Sequence, residues 1–227
     1  MAPTALVFDL DGTLVDSLED LTWSLRVLHE QAGRLALPAE GVAELVGEGA
    51  RKLLVRAWAR TGRPAGDTEL QALYERFLAI YDDHCTVDTH PYTGVLETLE
   101  ALRGAGHPLA LCTNKPIAPT RRVLAATGLD GFFGEAVFGG DSRPYKKPDP
   151  RILADALALL GAPAAVMVGD SPVDVAAARA AKWPVIAVGW GYAHGDPADL
   201  GADALIRRFR DLPGALARLR APRGPER

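Results

Sequence analysis

Four short apolar runs, each ending at polar residues of particular kinds, constrain the fold of this chain more than any other feature. They are Thr4-Ala5-Leu6-Val7-Phe8, Pro108-Leu109-Ala110-Leu111-Cys112, Ala164-Ala165-Val166-Met167-Val168 and Pro184-Val185-Ile186-Ala187-Val188. Near-continuous apolar strands are what a parallel sheet requires when helices cover both of its faces. Amphipathic stretches of helical length lie between the runs, at Val95 to Ala105, Pro116 to Thr127 and Pro150 to Leu160. Each is closed by a glycine (Gly106, Gly128, Gly161), the residue that most readily takes the left-handed turn ending a helix. This alternation predicts an α/β fold, a doubly wound and mainly parallel sheet. A further candidate strand runs from Glu135 to Phe138.

Residues 17–85 break the pattern, with helices and no credible strand. Leu18, Leu21, Leu25 and Leu28 recur at helical spacing after Asp16 and Ser17, either of which can cap. Further helical patterns run from Pro38 to Val46, Glu48 to Arg60 and Asp67 to about Tyr81. The expectation is an α-helical domain, 17–85, inserted after the first strand through linkers near Val15-Asp16 and Thr86–Pro91. Residues 1–16 and 86–221 then form the core domain, and 222–227 a frayed tail.

At 227 residues the chain buries roughly 70% of its unfolded surface and needs no disulfide or structural metal to fold. Basic residues number 25 against 29 acidic, a net charge of −4, which disfavours a nucleic-acid binder. No stretch approaches the ~20 apolar residues that span a bilayer, and with no basic start followed by a long apolar region a secretory signal is not expected. Two cysteines, Cys85 and Cys112, form no close pair and no metal motif, so a reduced, cytoplasmic protein is expected. A monomer and a homodimer both fit. Gly189, Gly191 and Gly195 miss the dinucleotide spacing, and Gly47-Glu48-Gly49-Ala50 with Arg51 and Lys52 follows no strand and lacks the G-x-x-x-x-G-K-[ST] pattern of a phosphate loop. The five histidines, His194 among them, show no ligand spacing.

Ligands of open α/β sheets bind beyond the carboxyl ends of the strands. Those ends carry Asp9-Leu10-Asp11-Gly12-Thr13, then Thr113-Asn114-Lys115, then Lys146-Lys147-Pro148 and Gly169-Asp170-Ser171-Pro172-Val173-Asp174. Asp9, Asp11 and Asp170 gathered at one edge repel one another unless a cation sits among them. All-oxygen ligands favour Mg²⁺, which usually shares its shell with a phosphate. A carboxylate can attack phosphorus, and a second one two residues on can serve as general acid and base.

In order and position these segments resemble the four motifs of the haloacid dehalogenase (HAD) superfamily of phosphohydrolases. The resemblance implies that Asp9 is the nucleophile and a Mg²⁺ ligand. It also implies that Asp11 is the general acid/base, with its backbone carbonyl on the metal. Thr113 and Asn114 would hold the phosphoryl group, Lys147 would neutralise charge on nucleophile and phosphate, Asp170 would bind Mg²⁺ and Asp174 would support them. Within the superfamily the phosphoglycolate phosphatases are most similar, on Phe8 to Ser17, Val46 to Ala50, Pro91 to Leu96, Leu111 to Lys115 and Gly189 to Tyr192. The insert then corresponds to a helical C1-type cap, whose loop Gly47, Glu48, Gly49 with Arg51 is a candidate for substrate contact. A small phosphorylated metabolite is the implied partner. Sugar-phosphate phosphatases, β-phosphoglucomutase-like phosphotransferases and a non-catalytic protein on the same core are the alternatives.

Overall fold

The computed structural model describes residues 4–192 and 195–220. The expected tail and His194 lie outside them. In chain order the elements are β1 (Ala5–Phe8), β2 (Val15–Asp16), α1 (Leu18–Gln31), α2 (Ala39–Ala43), α3 (Ala50–Arg60), α4 (Asp67–His84), β3 (His90–Pro91) and α5 (Val95–Gly104). Then follow β4 (Leu109–Cys112), α6 (Ile117–Ala126), α7 (Asp130–Phe133), β5 (Val137–Phe138), α8 (Arg151–Leu160), β6 (Ala165–Gly169), α9 (Pro172–Ala180), β7 (Val185–Val188), β8 (Ala204–Ile206) and α10 (Leu212–Arg220).

Six strands form one sheet in the order β5-β4-β1-β6-β7-β8, and every pairing within it is parallel. The strands read as unbroken apolar runs because both faces are covered. Leu6, Phe8, Leu109, Leu111, Val166 and Val168 point to one side, against Leu99, Leu124 and Leu216 from α5, α6 and α10. Ala5, Val7, Ala110, Cys112 and Met167 point to the other, against Ile152 and Leu153 of α8 and Ala177 of α9. Both cysteines are buried and unpaired. The sixth strand, β8, was not among the expected runs; it is three residues long and sits at the edge beside β7.

Helices α1 to α4 lie together between β2 and β3. Their buried side chains, among them Leu25, Leu28, Leu54, Trp58 and Phe77, continue the same apolar cluster that covers one face of the sheet. At the start of α1 the Asp16 carboxylate accepts from the Leu18 amide at 3.1 Å, so Asp16 rather than Ser17 supplies the side-chain cap. The two linkers are not loose: Val15 pairs with Pro91 and Asp16 with His90 as a two-stranded antiparallel ribbon. Among the described residues no helix is long and apolar enough to cross a membrane.

Candidate active site

β1 ends at Phe8 and leaves Asp9 just past the carboxyl edge, where its amide still donates to Val168 O at 3.0 Å. The chain then turns tightly, with the Thr13 and Leu14 amides both donating to Leu10 O. Gly12 takes φ +80° inside this turn, and a side chain there would put its Cβ 2.5 Å from Asp170 Oδ2. Gly191 presses on the same carboxylate from the loop after β7; a Cβ on it would stand 2.1 Å from that of Asp170. Asp170 is thus clasped between two backbones, and its oxygens accept from Thr13 Oγ1 and from the Tyr192 amide, both at 2.9 Å.

Lys147 reaches the same place from the loop before α8. Its ammonium lies 2.9 Å from Asp9 Oδ1 and 2.6 Å from Asp174 Oδ1. Lys146, one residue earlier, turns away and donates to Glu48 O at 3.0 Å. The second oxygen of Asp174 accepts from the Ser171 amide at 3.1 Å and its hydroxyl at 2.7 Å, closing a capping box on α9. Asp174 therefore caps a helix and fixes Lys147 at once. Burial pushes the Asp9 carboxyl up to about 7, outweighing the Lys147 charge. Burial, then the charges of Asp174 and Asp9, push Asp170 up to about 8. Burial alone would lower Lys147, but the two acids hold it above the usual ammonium range.

Oxygens of Asp9, Asp170 and Asp174 all fall within 4.8 Å of one another. Lys147 pairs with Asp9 and Asp174 but not with Asp170, and Asp174 is already committed to Lys147 and Ser171. Asp9 and Asp170 are the pair left for a hard divalent cation, and oxygen donors of this kind suit Mg²⁺.

Asp11 points to the other side of the turn. Its Oδ1 accepts from Ser17 Oγ at 2.6 Å and pairs with the Lys115 ammonium at 2.8 Å. Lys115 also donates to the Tyr81 hydroxyl, which comes from α4. Thr113 is buried at the end of β4. The side-chain Nδ2 of Asn114 donates to Lys147 O at 3.0 Å and to Gly47 O at 3.1 Å, tying the core to the inserted helices.

A cleft is bounded by Asp9, Asp11, Thr113, Asn114 and Lys115 below, and by Gly47, Gly49, Leu53, Phe77 and Tyr81 of the insert above. Of the candidate loop, Gly47 and Gly49 are in the cleft. Glu48 is held by Lys52 and Arg56 and lines a neighbouring cavity with Asp170 and Tyr192. Arg51 lies outside both: it is exposed and donates to Gln71 at 2.8 Å, because α3 turns Leu53, Leu54, Ala57 and Trp58 inward instead. Lys115, Ser17, Tyr81 and Tyr192 also belong to the site, although no site role was expected of them. Lys115 directly follows Thr113-Asn114, and Tyr192 ends the segment Gly189 to Tyr192; for Tyr81 no signal exists in the sequence.

A doubly wound α/β sheet carries buried acids and a lysine at its carboxyl edge, overhung by helices inserted between β2 and β3, which places the chain among α/β proteins with a charged cleft at the strand ends. A model of the haloacid dehalogenase-like hydrolases matches residues 3–182. Curated phosphoglycolate phosphatases from Rhodospirillum rubrum and Caulobacter vibrioides are 43% and 41% identical to it, each alignment covering 92% of this chain and 89% of the relative. A crystal structure described as a predicted phosphoglycolate phosphatase from Haemophilus somnus 129pt superposes with a TM-score of 0.86 at 30% identity, covering 94% of this chain and 98% of that one. The chain belongs to the haloacid dehalogenase-like hydrolase family.

Proposed function

We propose that this protein is a Mg²⁺-dependent phosphomonoesterase whose leading substrate is 2-phosphoglycolate, and that the inserted helices act as a cap over its site. The observation that carries the reading is the contact of Lys147 with Asp9 beside Asp170, where Asp9 lines the floor of a cleft roofed by the insert. The phosphoglycolate phosphatase relatives supply the substrate.

Asp9 attacks phosphorus through a carboxylate oxygen while Asp11, protonated, gives its proton to the departing ester oxygen. The P–O bond to the alcohol breaks and an aspartyl-phosphate remains on Asp9. Asp11, now a carboxylate, takes a proton from water; the water oxygen bonds to phosphorus, the acyl-phosphate P–O bond breaks, and phosphate leaves. Lys147 holds the Asp9 carboxylate in line through its 2.9 Å contact and carries positive charge to the phosphoryl oxygens. Thr113 and Asn114, at the end of β4, cradle those oxygens. Asp9, Asp170 and the Asp11 carbonyl would hold Mg²⁺, which supplies neutralisation of charge on the phosphoryl group. The apolar faces of Leu53 and Phe77 exclude bulk water from the cleft.

Phosphate release from phosphoglycolate, hexose phosphates, N-acetylmuramate 6-phosphate and p-nitrophenyl phosphate, with Mg²⁺ and with EDTA, tests this. Preference for phosphoglycolate, lost in EDTA and in Asp9→Asn, is the expected result. Wild-type turnover by Asp9→Asn would overturn the nucleophile, and release from a different ester alone would overturn the substrate.

A further inference from the structure

One charged side chain in the cleft has no part in the reaction as written. Lys115 is 4% exposed, and its ammonium meets Asp11 at 2.8 Å and the Tyr81 hydroxyl. The wall around it is apolar, built from Leu21, Leu53 and Phe77. A buried ammonium is costly to desolvate, and holding Asp11 in place does not need one: Ser17 Oγ already fixes the same oxygen at 2.6 Å. The position of Lys115 is also informative. Lys147 stands on the nucleophile, Asp9, whereas Lys115 stands on Asp11, the group that meets the leaving oxygen. One cation thus sits behind the nucleophile at the phosphoryl end, and a second, separate cation lines the cleft where the organic part of the ester begins.

We propose that Lys115 and Tyr81 are the specificity site for a carboxylate on the leaving group, so that the cleft selects phosphate esters of short 2-hydroxy acids. This rests on the phosphatase reading above. Lys115 Nζ is one hydrogen-bond length from Asp11, so only a negative group a single carbon from the ester oxygen reaches the ammonium while that oxygen stays beside Asp11. A sugar ring presents no charge there and would press its hydroxyls against Leu53 and Phe77. Tyr81 belongs to α4, so the site joins a side chain of the insert to one of the core. Burial, more than the nearby charges, keeps the phenol above its usual range, and it meets a carboxylate as a neutral donor.

The test is a ratio. For wild type, Lys115→Met and Tyr81→Phe, kcat/KM is measured with phosphoglycolate and with ethyl phosphate, an ester of similar size without the carboxylate. Wild type favours phosphoglycolate. In Lys115→Met that ratio falls on the order of 100-fold, mainly through KM, as for a lost buried ion pair. In Tyr81→Phe it falls roughly threefold to tenfold, as for one hydrogen bond. A ratio unchanged in Lys115→Met, whatever the absolute loss, overturns the assignment and leaves Lys115 as a positioning residue for Asp11. Equilibrium binding of phosphoglycolate to Asp9→Asn and to Asp9→Asn with Lys115→Met gives a readout without turnover, and equal affinities overturn it too. Wild type that hydrolyses both esters equally well refutes this inference alone. Wild type that hydrolyses no ester refutes it together with the phosphatase reading.

Discussion

Asp20 is fully buried in the first turn of α1 and fastens the far end of the insert to the near one. Its carboxylate accepts from the Asp88 amide at 3.0 Å, the Thr89 amide at 2.9 Å and Thr89 Oγ1 at 2.6 Å. His84, stacked on Trp23 with ring centroids 3.7 Å apart, brings Nε2 to 3.7 Å from the same group. Asp20→Ala deletes the acceptor and strands these donors. The buried Thr89 amide carries the largest share of the cost; the Asp88 amide is half-buried and the Thr89 hydroxyl can turn to another acceptor. Together they set a loss of about 4 kcal/mol. Asp20→Asn keeps one oxygen for the Thr89 pair and turns an amide toward Asp88, for a loss of about 2 kcal/mol. Urea unfolding followed by circular dichroism reads both values, and Asp20→Ala lowers Tm by roughly 10 °C in a chain of this size. Limited proteolysis between Thr86 and Pro91 rises in step, since that strand of the ribbon loses its anchor. A loss below about 1 kcal/mol for Asp20→Ala, or one no larger than that of Asp20→Asn, would refute the reasoning.

Four more outcomes follow from the charged centre. Because burial raises the Asp9 and Asp170 carboxyls to about 7 and about 8 in the folded chain, the unfolded chain gives up those protons first. Metal-free stability therefore falls as pH climbs from about 4 toward 8. Mg²⁺ binds the deprotonated folded form, so its Tm increment is larger at pH 8 than at pH 5; an increment larger at pH 5 would contradict the cation site. Lys147→Met leaves Asp9 and Asp174 buried without their ammonium, and chemical denaturation should show a loss of about 3–5 kcal/mol along with inactivity. Gly191→Ala forces a methyl to within 2.1 Å of the Asp170 Cβ. Displacement of that loop should cost about 1–3 kcal/mol and weaken Mg²⁺ half-saturation; wild-type values for both would show that the two backbones have room to part.

The parallel sheet was legible because its cause is local: a strand covered on both faces must be apolar at every position, and Ala5–Phe8, Leu109–Cys112 and Val185–Val188 are. The acids were legible for a related reason. Asp9 and Asp170 sit one residue beyond such strands, where no packing demand accounts for them. β8 was less visible, being only three residues long at the sheet edge, with Ala204 and Leu205 half-buried. The ribbon of Val15–Asp16 with His90–Pro91 was invisible, since two-residue strands carry no period and their partners lie far apart in sequence.

Side-chain partnerships divide in the same way. Asp20 looks from sequence like an ordinary acid in the first turn of a helix, because the amides it satisfies are 68 and 69 residues away. Lys146 and Lys147 are neighbours of identical chemistry, yet one meets Glu48 O and the other the nucleophile. Arg51, a reasonable anion ligand by composition, faces solvent, while Lys115 occupies the cleft. Residue type and spacing along the chain determined by themselves the layered fold and the chemistry available at the strand ends. Which cation meets which acid, and which side chains of the insert face the cleft, only the tertiary structure decided. Charge pairing and desolvation depend on distance through space and on burial by the whole fold, and neither quantity is written into any short window of sequence.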